Sequence, residues 1–148
     1  MIYLDASVVF CLYFRDSNTE EALHWVGSAT EALLVSALCE METINAFGLR
    51  VFRGEMSTRN LEIAVRDLEA DLRSGFLKWV PIPDAAFVQA KALSRRITSS
   101  VGVRATDLLH IAAALELGAK IIYTLDQGQL KAAQAAGLVV NRLPLQRP

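Results

Sequence analysis

Asp5, Glu42, Asp107 and Asp126 are the residues whose type and placement point most directly to chemistry. Asp5 follows the apolar run Ile2-Tyr3-Leu4 and precedes Ala6, Ser7 and a second apolar run. A carboxylate set between a buried strand and a buried helix is costly unless it has a partner. Capping the helix is its plain alternative, although Ser7 would cap as well. Asp107 falls in the first turn of the most apolar helical segment, where free N–H groups and the helix dipole favour an ionised carboxylate; a dipole-matching surface acid is the other reading. Asp126 ends the run Ile121-Ile122-Tyr123 through Thr124 and Leu125, with a turn-forming role before Gln127 and Gly128 as its alternative. Glu40 and Glu42 lie two apart on one helical segment, so only one can face a shared site. Leu38, Met41 and Ala46 around Glu42 favour it without excluding Glu40.

Such acids do not converge without a counter-charge, because two ionised carboxylates ~4 Å apart repel by about 4 kcal/mol at an effective dielectric of roughly 20. An oxygen-only donor set with no obvious histidine or thiolate partners suits Mg²⁺ or Mn²⁺ better than Zn²⁺. A divalent ion held this way attracts phosphate and activates water. His110, one turn beyond Asp107, reads as a partly buried, hydrogen-bonded core histidine rather than a ligand or base. Cys11 and Cys39 share no metal-ligand spacing and read as small core residues.

The elements that must position these acids follow from periodicity. Ile2 to Leu4 is a strand leading into a helix over Ala6 to Phe14. Thr19 caps a helix over Glu20 to Ser28, and Leu33 to Val35 is the second strand. A helix runs from Ala37 to Arg53 and is closed by Gly54; another starts at Ser57 or Thr58 and reaches about Arg73. Leu77 to Ile82 is the third strand, and Asp84 to Thr98 is helical. Ser99 to Val103 is the most loop-like interior stretch, and Thr106 caps a helix ending near Gly118. Ile121 to Tyr123 is the fourth strand, followed by a short helix to Ala136, and Leu138 to Val140 is the fifth. Continuous apolar strands alternating with helices predict an α/β fold, a central parallel five-stranded sheet flanked by helices on both faces. Ligands of such sheets bind beyond the carboxyl ends of the strands, where Asp5 and Asp126 fall.

Length and composition fit one domain over residues 1–143, with a loose tail over 144–148. Hydrophobic residues make up 53% of the 148-residue chain and mean hydropathy is +0.30. The longest apolar stretch, Ala6 to Phe14, is too short to span a bilayer, and Asp5 interrupts any secretory pattern; a cytoplasmic protein is expected. The net charge of −1 and pI near 6.1 do not advertise a nucleic-acid binder. Setting the four acids aside leaves +3 from that −1, so any basic footprint must be local.

Four segments, Tyr3-Leu4-Asp5-Ala6-Ser7, Ser36-Ala37-Leu38-Cys39-Glu40-Met41-Glu42 with Asn45, Thr106-Asp107-Leu108-Leu109-His110-Ile111-Ala112, and Thr124-Leu125-Asp126, together resemble the PIN domain. Their order and spacing cover nearly the whole chain, and its length resembles the VapC-type toxins of bacterial toxin–antitoxin pairs. The resemblance selects Glu42 over Glu40 and implies supporting roles for Ser7 and Thr124. It implies a metal-dependent endoribonuclease that leaves 5′-phosphate and 3′-hydroxyl ends, with an antitoxin as protein partner. Some relatives carry a further acid where this sequence has Gln127, Gly128 and Gln129, so a fifth carboxylate ligand is not expected.

Arg15 and Arg104 are the arginines selected for contact with the RNA backbone, Arg104 first because it lies just before Asp107; Arg95 and Arg96 also read as a solvated helix face. High apolar content fits a homodimer and a groove for an antitoxin helix. Two other functions compete: a PIN-like binding module without catalysis, and a phosphatase on a related α/β sheet. Against the phosphatase, Ser7 stands where a second Asp is usual.

Overall fold

The computed structural model describes residues 1–141. The expected domain limit at residue 143 and the tail over 144–148 lie outside the described residues. The strands are β1 (Ile2–Leu4), β2 (Leu33–Ser36), β3 (Leu77–Val80), β4 (Ile121–Tyr123) and β5 (Val139–Val140). All pair in parallel, in the order β3-β2-β1-β4-β5, with Ile2 opposite both Leu33 and Ile121. This is the five-stranded parallel α/β sheet that the alternating apolar runs predict.

Period-2 alternation of side chains divides the core into two layers. Ile2, Leu4, Leu33, Val35 and Tyr123 face one side, where they pack with helices α1 (Ala6–Tyr13), α2 (Thr19–Gly27), α3 (Ala37–Phe52) and α4 (Thr58–Ser74). Tyr3, Leu34 and Ile122 face the other, against α5 (Asp84–Leu93), α7 (Ala105–Glu116) and α8 (Gln127–Ala135). β1 to β3 build outward in one direction and β4 and β5 in the other. Strand order therefore reverses between β1 and β4, the pair whose carboxyl ends carry Asp5 and Asp126.

Four boundaries differ from the sequence expectation. Thr106 does not cap α7: Arg104 holds the cap position with extended backbone, and Thr106 lies within the first turn. The helix from Asp84 does not run regularly to Thr98. It widens into a π-helical turn at Ser94–Thr98 and continues as α6 (Ser99–Val101), so part of the expected loop is helical. The break falls at Gly102, whose φ of 70° suits a residue without a Cβ. β3 stops at Val80, before the proline-flanked segment that lacks ladder partners. Thr19 is the first residue of α2 rather than its cap, and its hydroxyl accepts the Asp16 N–H at 2.8 Å.

Among the described residues no helix is long and apolar enough to cross a membrane. Cys11 and Cys39 are free and buried, as core residues should be. Phe47 on α3 is fully buried, with its ring 5.2 Å from that of Phe10 on α1. Phe47→Ala should lower unfolding stability by ~3–5 kcal/mol, read as a reduced denaturant midpoint with an unchanged slope.

Candidate functional site

Asp5 and Asp126 are the N-cap residues of α1 and α8, so each is held by the helix it begins. An Asp5 carboxylate oxygen accepts the Ser7 N–H at 3.0 Å, and Asp126 Oδ1 accepts the Gln129 N–H at 2.8 Å. Asp5 is only 6% exposed. Its burial is tolerable because further donors surround it: Ser7 Oγ at 2.5 Å, Gln129 Nε2 at 3.1 Å and Thr124 Oγ1 at 3.4 Å.

Ser7 and Thr124 also join the turn after β1 to the turn after β4. Ser7 Oγ accepts the Leu125 N–H at 3.0 Å, and Thr124 Oγ1 accepts the Asp126 N–H at 3.1 Å. Thr124 is fully buried. Its N–H donates to Asn141 Oδ1 at 2.9 Å, and its carbonyl accepts from Asn141 Nδ2 at 2.8 Å.

Glu42 reaches the same region from α3. Its Oε2 lies 2.7 Å from His110 Nε2, which is also 3.6 Å from Asp5 Oδ1. His110 is fully buried on α7, and its Nδ1 lies 2.8 Å from the Tyr3 hydroxyl, itself 2.6 Å from Ser36 Oγ. Ser36 Oγ accepts the Cys39 N–H at 3.2 Å as the cap of α3. Burial pushes the Tyr3 hydroxyl well above its ordinary pKa, and the charges of Cys39, Asp5 and Glu42 add to that. Burial likewise holds the Cys39 thiol far up, next to Asp5 and Glu42, and with Asp16 it pushes Cys11 up to about 12. Glu40 is turned elsewhere and accepts the Trp79 indole N–H at 2.7 Å.

Asp107 and Asp126 share a guanidinium. Arg104 donates to both oxygens of Asp107, at 2.9 and 3.3 Å, and to Asp126 Oδ2 at 3.3 Å. The hydrogen bonds and charge of Asp107 raise the Arg104 pKa further, with Asp126 and Glu42 contributing. The four acids thus stand as two linked pairs, Asp5 with Glu42 through His110 and Asp107 with Asp126 through Arg104. Arg15 is exposed on the segment after α1, on a different element from all four.

A divalent cation fits this donor set. Asp5, Glu42 and His110 each offer an atom, all within 4.8 Å of one another. Gln129 Oε1 is buried without a hydrogen-bond partner, on the residue whose amide touches Asp5. An acceptor oxygen left over beside a buried carboxylate suits a cation or its water. Sequence reasoning missed the place of His110 and Gln129 in this cluster. His110 is hydrogen-bonded as expected, but it is fully rather than partly buried and one of its partners is Glu42. The available signal was spacing: each lies three residues after a site acid on one helix, and such pairs share a face.

A parallel sheet with acids gathered where strand order reverses defines the class: an α/β domain with an acidic site at the sheet's carboxyl edge. Residues 2–135 match the model of the PIN domain. The chain belongs to the PIN domain family. No curated protein matches the sequence significantly. Among solved structures, the chain is similar to Mycobacterium tuberculosis VapC20, described as a sarcin–ricin loop cleaving toxin. The identity is 19%, the alignment covers 97% of this chain and 100% of that one, and the TM-score is 0.73. FitAcB from Neisseria gonorrhoeae is 20% identical over 95% of this chain and 96% of its own, with a TM-score of 0.68. VapBC-1 from nontypeable Haemophilus influenzae is 17% identical over 95% and 96%, with a TM-score of 0.66. At these identities the likeness is one of fold.

Arg104 is the counter-charge for two of the four acids, so its removal should strengthen their demand for a cation. Arg104→Ala should show a larger rise in melting temperature on adding Mg²⁺ or Mn²⁺ than the wild type does, measured by thermal scanning with and without metal.

Proposed function

We propose that this protein is a Mg²⁺- or Mn²⁺-dependent endoribonuclease, the toxin of a VapBC-type toxin–antitoxin pair. The observation that carries the reading is the convergence of Asp5 and Glu42 on His110 at the β1–β4 switch point of a PIN domain. Asp107 and Asp126 lie within reach of one guanidinium beside it. Asp5, Glu42, Asp107 and Asp126 would hold the metal. When bound, Mg²⁺ or Mn²⁺ lowers the pKa of a water, orients it for in-line attack and offsets charge on the phosphate and leaving oxygen.

The protein's own groups prepare that arrangement. Ser7, Thr124 and Gln129 fix the Asp5 carboxylate, and His110 fixes Glu42. Arg104, its side chain 71% exposed, can turn its guanidinium from Asp107 and Asp126 to a substrate phosphate. The buried thiol of Cys39 and the hydroxyl of Tyr3 are held protonated, which disfavours them as nucleophiles and leaves water as the attacking group. Hydrolysis would leave 5′-phosphate and 3′-hydroxyl ends.

A cavity of about 400 Å³ between α1 and α3 continues from Ser7 and Asp126 to Arg50 and Arg53. The Arg50 guanidinium lies over the rings of Phe10 and Phe14, 5.4 and 5.3 Å from their centroids, and pairs with Glu55. This offers a track for single-stranded RNA beyond the acids, with guanidinium charge that suits a phosphate backbone. Arg50 and Arg53 therefore join Arg104 as proposed RNA contacts ahead of Arg15. Exposed Leu49 and Phe52 on α3 support docking of an apolar antitoxin helix. Exposed Phe87 and Val88 on α5 support a contact between two copies of the chain.

Metal-free protein should leave RNA intact, Mg²⁺ or Mn²⁺ should start cleavage, and Asp5→Asn or Asp126→Asn should reduce the rate by at least ~100-fold. Unchanged cleavage by both variants, purified in parallel with wild type and with a mock preparation that leaves RNA intact, rejects the assignment. Light scattering at micromolar concentration should give the mass of a dimer; a monomer mass counts against the proposed copy–copy contact.

A further inference from the structure

We infer that His110 is a positioning residue, a fixed N–H donor that anchors Glu42, rather than a metal ligand; the inference deepens the metal-nuclease reading and rests on it. The three atoms within 4.8 Å make ligation the obvious alternative, since imidazole is a common metal donor. Hydrogen bookkeeping along the buried chain decides between them. Ser36, Tyr3 and His110 are all fully buried, so each polar hydrogen needs an acceptor among its neighbours.

Ser36 Oγ already accepts the Cys39 N–H, and its own hydrogen has Tyr3 Oη, 2.6 Å away, as acceptor. The Tyr3 hydroxyl then donates to His110 Nδ1 at 2.8 Å, which leaves the imidazole proton on Nε2, facing Glu42 Oε2 at 2.7 Å. Every hydrogen is used, and all bonds run one way, from Ser36 through Tyr3 and His110 to Glu42. Ligation through Nε2 requires the opposite direction. The proton would sit on Nδ1 and donate to Tyr3, Tyr3 would donate to Ser36, and the Ser36 hydrogen would lose its acceptor. In the metal-free protein it would also set an Nε2 lone pair against the Glu42 carboxylate, which only accepts. The geometry thus points to an imidazole that fixes one Glu42 oxygen and leaves the other free for a cation, the part played by outer-shell partners of metal-binding carboxylates.

Two measurements test this. In metal-free, ¹⁵N-labelled protein, long-range ¹H–¹⁵N correlation of the His110 ring should place the proton on Nε2. A proton on Nδ1 overturns the inference, whether or not the protein cleaves RNA. Mn²⁺ affinity by calorimetry should then separate donor from ligand. His110→Gln keeps an amide N–H that can reach Glu42, and should bind within about threefold of wild type, whereas His110→Leu should bind about 10- to 100-fold more weakly. A Gln variant as weak as the Leu variant, or imidazole ¹⁴N coupling in pulsed EPR of Mn²⁺ bound to wild type, overturns the inference in favour of ligation. Should His110→Leu fail to fold, the Gln variant and the EPR signal carry the comparison. Absence of Mn²⁺ binding by wild type removes the nuclease reading instead, and the tautomer measurement then decides the direction of the relay alone.

Discussion

Carboxylates crowded at one edge of a protein repel, and the repulsion grows as water is excluded. Most of what surrounds the sheet's carboxyl edge is an answer to that constraint. Asp5 is compensated by hydrogen-bond donors from its own turn, from the β4–α8 turn and from α8. Glu42 is met by a buried imidazole, and Asp107 and Asp126 by a shared guanidinium. The two pairs are compensated differently. Neutral dipoles serve the buried Asp5, whereas one exposed guanidinium serves both the buried Asp107 and the 38% exposed Asp126. Fixed dipoles hold geometry, and an exposed cation can leave when a stronger one arrives.

The parallel sheet makes this arrangement inexpensive in chain length. Reversal of strand order between β1 and β4 opens a crevice where two helix N-termini, those of α1 and α8, lie side by side. Each presents unpaired N–H groups to an acid that is also its cap. The same residue thereby ends a strand, starts a helix and faces the crevice. The third and fourth contributors come from α7 on one face and α3 on the other, so the crevice draws on both layers of the core. Membership of the PIN domain family accounts for the order of these parts along the chain.

Much of this was readable from residue order. Apolar runs bounded by acids located β1 and β4, and their uninterrupted character implied a sheet covered on both faces. Helix ends were harder, because they depend on which side chains are free to cap. Thr106 looks like a cap by type, but the cap falls two residues earlier, at Arg104, whose side chain is engaged with Asp107 and Asp126. The π-helical turn at Ser94–Thr98 leaves no trace in an apolar pattern, since it widens a helix without interrupting its burial. His110 and Gln129 were hidden for another reason. Spacing sets each three residues after a site acid, but their hydrogen-bond partners, Glu42 and Asp5, are distant along the chain, and only the folded sheet brings them together.

Asn141 gives the sheet's last strand an influence out of proportion to its two-residue length. Its side-chain amide mimics a further strand residue, clasping both backbone groups of Thr124, and its own φ of 52° is the left-handed conformation that asparagine tolerates better than most residues. Thr124 in turn touches Asp5 and Asp126. The far edge of the fold is therefore a buttress, and a binding partner that pulls on the chain just past β5 would loosen the acids from behind without entering the crevice.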